Sequence, residues 1–106
     1  MEPSESDIAG EIFFDPQDGI YADHFPGHPV VPGSLIIEAF IRVVGPALKD
    51  SGKRWSVENF RFRHFISPGR YVFRASGNAG GPMRCVLYDG SRVVATGIIS
   101  GSELSC

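Results

Sequence analysis

The chain has 106 residues, 42% of them hydrophobic, and a formal net charge of -2 at pH 7. That length makes one domain, residues 1–106, with a small core, and a mildly acidic balance argues against a general nucleic-acid binder, which is ordinarily basic. No apolar run reaches the roughly 20 residues that a membrane span needs, and MEPSESDIAG has no basic, apolar leader. Two cysteines, Cys85 and Cys106, build no disulfide framework, so a reduced, cytoplasmic compartment is expected.

In chain order, residues 1–8 read as a frayed start. Glu11 to Phe14 is a short strand, stopped by the turn cluster Asp15-Pro16-Gln17-Asp18-Gly19. Tyr21 to Gly45, YADHFPGHPVVPGSLIIEAFIRVVG, has two parts: a loop stiffened by Pro26, Pro29 and Pro32, then an almost wholly apolar helix. The helix is expected from about Gly33 to Val44, with Gly45-Pro46 ending it and Ala47 to Asp50 adding one further turn. The period then changes to two. Phe60, Phe62 and His64 alternate with Arg61, Arg63 and Phe65 as a half-buried strand, with His64 packed in it. Ser67-Pro68-Gly69 turns the chain into a strand over Arg70 to Ala75, and Gly77 to Pro82 is a loop. Met83 to Tyr88 and Arg92 to Ser100 form a hairpin around Asp89-Gly90. One long central helix and a run of antiparallel strands give an α+β fold with the sheet wrapped over the helix.

Three features of the loop and helix belong to one chemistry. His24 supplies a base. Gly33 and Ser34 open the helix, where backbone N–H groups point outward with the positive end of the dipole behind them. Glu38, one turn along, sits among Leu35, Ile36, Ile37, Ala39, Phe40 and Ile41, where a lone carboxylate is costly unless it is paired, exposed or useful. Blander readings stand beside these: His24 hydrogen-bonds its own loop, and Glu38 forms an ordinary i, i+4 ion pair with Arg42. His28 lies four residues after His24, but two prolines and a glycine in that stretch exclude the helical His-x-x-x-His metal geometry, and no metal is expected. Lys53, Arg54, Arg61, Arg63, Arg70 and Arg74 form a solvated strand face or a docking patch for an acidic partner. No Gly-rich phosphate loop is present, and Cys85 reads as a small buried hydrophobe.

The stretch HFPGHPVVPGSLIIEAF closely resembles the active-site motif of the FabZ/FabA-type 3-hydroxyacyl-[acyl-carrier-protein] dehydratases, H-F-P-G-x-P-φ-φ-P-G-x-L-x-x-E-A with φ apolar. NFRFRHFISPGRYVF and CVLYDGSRVVATGII are similar to the family's later strand segments, so the resemblance spans roughly residues 10–100. It implies a single hotdog domain and a homodimer with shared active sites, His and Glu of one site coming from opposite protomers. It implies dehydration of a (3R)-hydroxyacyl thioester carried by acyl carrier protein, without cofactor. His24 would be the base, Glu38 the acid with its pKa raised by burial, and the Gly33 N–H, with Ser34 beside it, the ligand of the thioester oxygen. Two departures are visible: Arg42 stands where the family has Gln, and the family carries an additional N-terminal segment before the strand at Glu11. They keep two other readings open, a hotdog thioesterase and a non-catalytic acyl-binding or scaffolding subunit.

Overall fold

Ile36, Phe40 and Val44 recur at helical spacing and are the buried face of α1 (Gly33–Val44) in the computed structural model, which describes residues 5–17, 30–45, 54–78 and 82–102. Around that helix lie β1 (Glu5–Phe14), β2 (Arg54–Phe62), β3 (Gly69–Asn78), β4 (Met83–Asp89) and β5 (Arg92–Ser102). They form one antiparallel sheet in the order β1-β3-β4-β5-β2, leaving β1 and β2 at its edges. This is the expected α+β architecture.

Alternation makes the inner face of the sheet. Ile12 and Phe14 of β1, Tyr71, Phe73 and Ala75 of β3, and Met83, Cys85 and Leu87 of β4 point inward and are buried. The fully buried Phe40 joins helix to sheet: its ring stands edge-on to Phe73, with centroids 6.0 Å apart at 86°, and tilts against Phe60 at 6.0 Å. Phe60 reaches that place through a β-bulge. Between Glu58, opposite Ile98, and Arg61, opposite Thr96, two residues of β2 face the single residue Gly97. Asn59 takes up the irregularity at φ 55, a left-handed conformation that Asn tolerates better than most residues. Any side chain at position 97 would run into the Phe60 ring, so β5 carries glycine there.

Most boundaries follow the sequence, and four need correction. β1 begins at Glu5, six residues before the expected strand, so the frayed start is wrong for residues 5–8. Pairing with β3 holds this segment: Asp7 accepts from the Arg74 guanidinium at 2.8 Å, and Ile8 packs against the core. β2 begins at Arg54 rather than at Phe60 and ends at Phe62, and β3 continues to Asn78, into the expected loop. His64 is therefore not a packed strand residue; it lies exposed in the bend after β2. The helix bounds and the Asp89-Gly90 hairpin, with Gly90 at φ 66, are as read. Among the described residues no helix is long and apolar enough to cross a membrane.

The Phe60–Gly97 contact yields a stability test. Gly97→Val should displace the Phe60 ring and destabilise the fold by about 2 kcal/mol or more, read as a lower urea midpoint. Phe40→Ala should cost about 3–5 kcal/mol by the same measurement.

Candidate functional site

Pro32 enters α1 at φ -66, ψ 147, and its carbonyl accepts from the Leu35 N–H at 3.0 Å and the Ile36 N–H at 3.3 Å. The preceding N–H groups, of Gly33 and Ser34, donate to no backbone acceptor among the described residues. Pro32 has no side-chain cap to offer, and no acidic residue lies in the first turn. Among the described residues the helix thus presents donors at its positive end that no backbone acceptor meets. Glycine at position 33 also has a packing reason: a Cβ there would come within 2.9 Å of the Phe62 ring.

Gly33 also borders an apolar cavity of about 330 Å³ lined by Val30, Val31, Pro32, Gly33, Ile36, Phe62, His64 and Phe65. Its two walls are tied by a hydrogen bond from the Val31 N–H to the Ile66 carbonyl, 2.9 Å. Phe62 stacks on Phe60, so one wall continues the aromatic contacts that seat α1. Sequence reasoning did not assign Val30, Phe62, His64 and Phe65 to the helix start. Their signal lay in FRFRHF, where two aromatics that the core does not absorb flank a histidine.

Glu38 lies elsewhere on the helix, two positions past Ile36 and hence on the side turned from the sheet. Its side chain is 61% exposed, and its carboxylate stands 3.8 Å from the guanidinium of Arg42, itself 75% exposed. The burial expected for Glu38 is absent from the single chain, and the bland i, i+4 pair is formed. Both residues, with Leu35 and Val43, line a second cleft of about 370 Å³ against Phe13 and Phe14 of β1. Within one chain, Glu38 and the Gly33 donors thus open on separate cavities. His24 and His28 lie outside the described residues, so the third member of the expected set has no geometry to report.

Lys53 lies outside the described residues, and Arg61, Arg63, Arg70 and Arg74 do not make one patch. Arg70 and Arg74 of β3 pair with Glu11 and Asp7 of β1, and Arg70 also lies over the Phe13 ring, 5.2 Å from its centroid. Arg61 belongs to β2 and Arg63 follows it, on the far side of β4 and β5. Cys85 is buried as expected, and loss of solvation pushes its thiol up to about 12.

The antiparallel sheet over one helix defines a hotdog fold. The family model described as ApeI-like, ApeI dehydratase, matches residues 1–75. The chain belongs to this ApeI-like dehydratase family. It is also similar to the 3-hydroxyacyl-[acyl-carrier-protein] dehydratase FabZ of Chlamydia trachomatis serovar D, 32% identical over 94 residues, 76% of this chain and 61% of that protein. The chain therefore spans about three fifths of the length of that relative. Two solved structures share the fold at low identity. The dehydratase heterocomplex ApeI:P from Xenorhabdus doucetiae aligns at TM-score 0.65 and 19% identity, covering 94% of this chain and 97% of that one. A variant of the fluoroacetyl-CoA-specific thioesterase FlK aligns at TM-score 0.59 and 14% identity, covering 93% of this chain and 84% of that one.

Two measurements check this description. Arg42→Gln should shift folding stability by no more than about 0.5 kcal/mol, the worth of an exposed i, i+4 pair, in urea titration. Iodoacetamide at pH 8 should leave Cys85 unmodified in the native protein and alkylate it in denaturant, as located by peptide mass spectrometry, because the thiolate is the reactive form.

Proposed function

We propose that the chain, as one hotdog domain over residues 1–106, dehydrates (3R)-hydroxyacyl thioesters carried by acyl carrier protein to trans-2-enoyl thioesters. The observation that carries this reading is the helix start. The Gly33 and Ser34 N–H groups meet no backbone acceptor among the described residues, and Gly33 lines an apolar cavity, in a chain whose sequence puts His24 before them and Glu38 one turn after. The thioester oxygen accepts from the Gly33 N–H, which stabilises it as it becomes enolate-like. His24 takes the proton from C2, the C2–C3 double bond forms, and the 3-hydroxyl leaves as water with a proton from Glu38. No electrons are exchanged with a second reactant, and no cofactor is required. The reaction belongs to the cytoplasm, with fatty-acid or related acyl-chain synthesis.

A homodimer completes the site. Glu38 stands in solvent on the outward side of α1, and Val57, Phe62 and Phe65 are exposed on or just beyond the edge strand β2. A second copy pairing along that edge would cover this apolar surface, and in a shared site Glu38 of one chain would serve the partner's thioester pocket. For Glu38 to serve as the acid there, its carboxyl would have to leave the Arg42 guanidinium, 3.8 Å away in the single chain.

Removal of the base or the acid should each cost about 10²–10⁴ in turnover, so His24→Ala and Glu38→Gln should both lose hydration of a crotonyl thioester, followed by its enoyl absorbance. Mixing refolded His24→Ala and Glu38→Ala chains should restore part of that activity, because some hybrid dimers carry one intact site. Confirmed hybrids without recovery would rule out shared sites.

A further inference from the structure

The segment that closes the cavity beside Gly33 is fixed at two points. The Arg63 N–H donates to the Val94 carbonyl at 2.8 Å, and the Ile66 carbonyl accepts from the Val31 N–H at 2.9 Å. Only His64 and Phe65 lie between these anchors, and both line the cavity. They are held by hydrogen bonds to two different elements, β5 and the lead into α1, so their backbone has one path. Neither side chain serves the core. Phe65 is 88% exposed, an expensive place for a phenyl ring, and His64 makes no side-chain hydrogen bond among the described residues.

The lining is otherwise apolar: three aliphatic side chains, Pro32, and two phenyl rings. His64 carries the one side chain of this lining that can donate a hydrogen bond, and the helix start adds the Gly33 backbone N–H. A carbonyl oxygen has two lone pairs and accepts two donors, and one backbone N–H satisfies one of them. We propose that His64 is the second donor to the thioester oxygen, acting with the Gly33 N–H, while Phe65 covers the acyl group at the rim. This assignment rests on the thioester reading of the cavity and gives His64 a role separate from that of His24. One nitrogen of the neutral imidazole carries a proton, which it shares with the oxygen without transferring it. The bond strengthens as negative charge gathers on the oxygen during removal of the C2 proton. Nothing else in the reaction changes: the C2 proton passes to His24 and returns through solvent to Glu38 after water leaves, and His64 ends each turnover as it began.

The test separates hydrogen bonding from space filling. A pantetheine ketone, with CH2 in place of sulfur, keeps the carbonyl and cannot be cleaved as a thioester; the matching thioether, with CH2 in place of the carbonyl, lacks the acceptor. Calorimetry with the wild-type protein, His64→Phe and His64→Gln measures binding of each without any turnover. The ketone should bind His64→Phe about tenfold more weakly than wild type, the worth of one hydrogen bond. The thioether should bind both proteins alike, and His64→Gln, which keeps an N–H donor, should recover part of the ketone affinity. Equal loss of ketone and thioether in His64→Phe would assign His64 to shape alone and overturn the proposal, as would wild-type binding of neither compound. If the dehydratase reading fails, crotonyl hydration is absent while the ketone-specific loss in His64→Phe persists. Where hydration is present, kcat should fall in His64→Phe more than KM rises.

Discussion

Phe40 is the contact on which the site depends. Its ring, without solvent exposure, is wedged between Phe73 of the sheet interior and Phe60 of the edge strand, and it sets where the helix lies. Phe60 is available only because β2 takes an extra residue at Asn59 and β5 offers a bare Gly97 beneath the ring. Phe62 stacks on Phe60 and reaches the Gly33 end of the same helix. A single aromatic chain thus runs from the middle of the sheet to the open N–H groups. Donors that are to hold a developing oxyanion must not move as charge appears, and a close-packed chain of rings resists movement.

The second constraint is what the fold leaves uncovered. The helix turns Glu38 and Arg42 to solvent, and exposed Val57 and Phe65 lie on or just past β2, an edge strand with no further strand beyond it among the described residues. An ion pair in water is worth little and is readily exchanged for another partner. In the single chain both groups of this pair stand largely in water. A homodimer of the proposed kind makes both the acid and its restraint part of one interface.

Much of the fold was legible because its signals are local. The apolar spacing from Ile36 to Val44 fixed the helix, and Asp89-Gly90 fixed the hairpin. The start of β1 was not, since Glu5, Ser6 and Asp7 have a polar strand's composition and pair only because β3 extends to meet them. The reading of His64 failed for a related reason. Alternation placed it on the inward side of a strand, yet the chain leaves the sheet after Phe62, at the Arg63 N–H bond to Val94. The exposure of Glu38 was equally hidden, because neighbours that are apolar in sequence point around all sides of a helix. The motif made the Gly33 donors legible; which walls faced them required the long-range Val31–Ile66 bond.

The most direct test of the central claim is one time course with two readouts. The wild-type chain is given a (3R)-hydroxybutyryl pantetheine thioester, and enoyl absorbance and free thiol are followed in the same sample. The account predicts a rise of enoyl absorbance to an equilibrium plateau, with no thiol above the protein-free control. Thiol release without an enoyl signal would make the open helix start a hydrolytic site. A flat trace in both channels, with the thioester bound, would make it an acyl-binding site without chemistry. Either result contradicts the account.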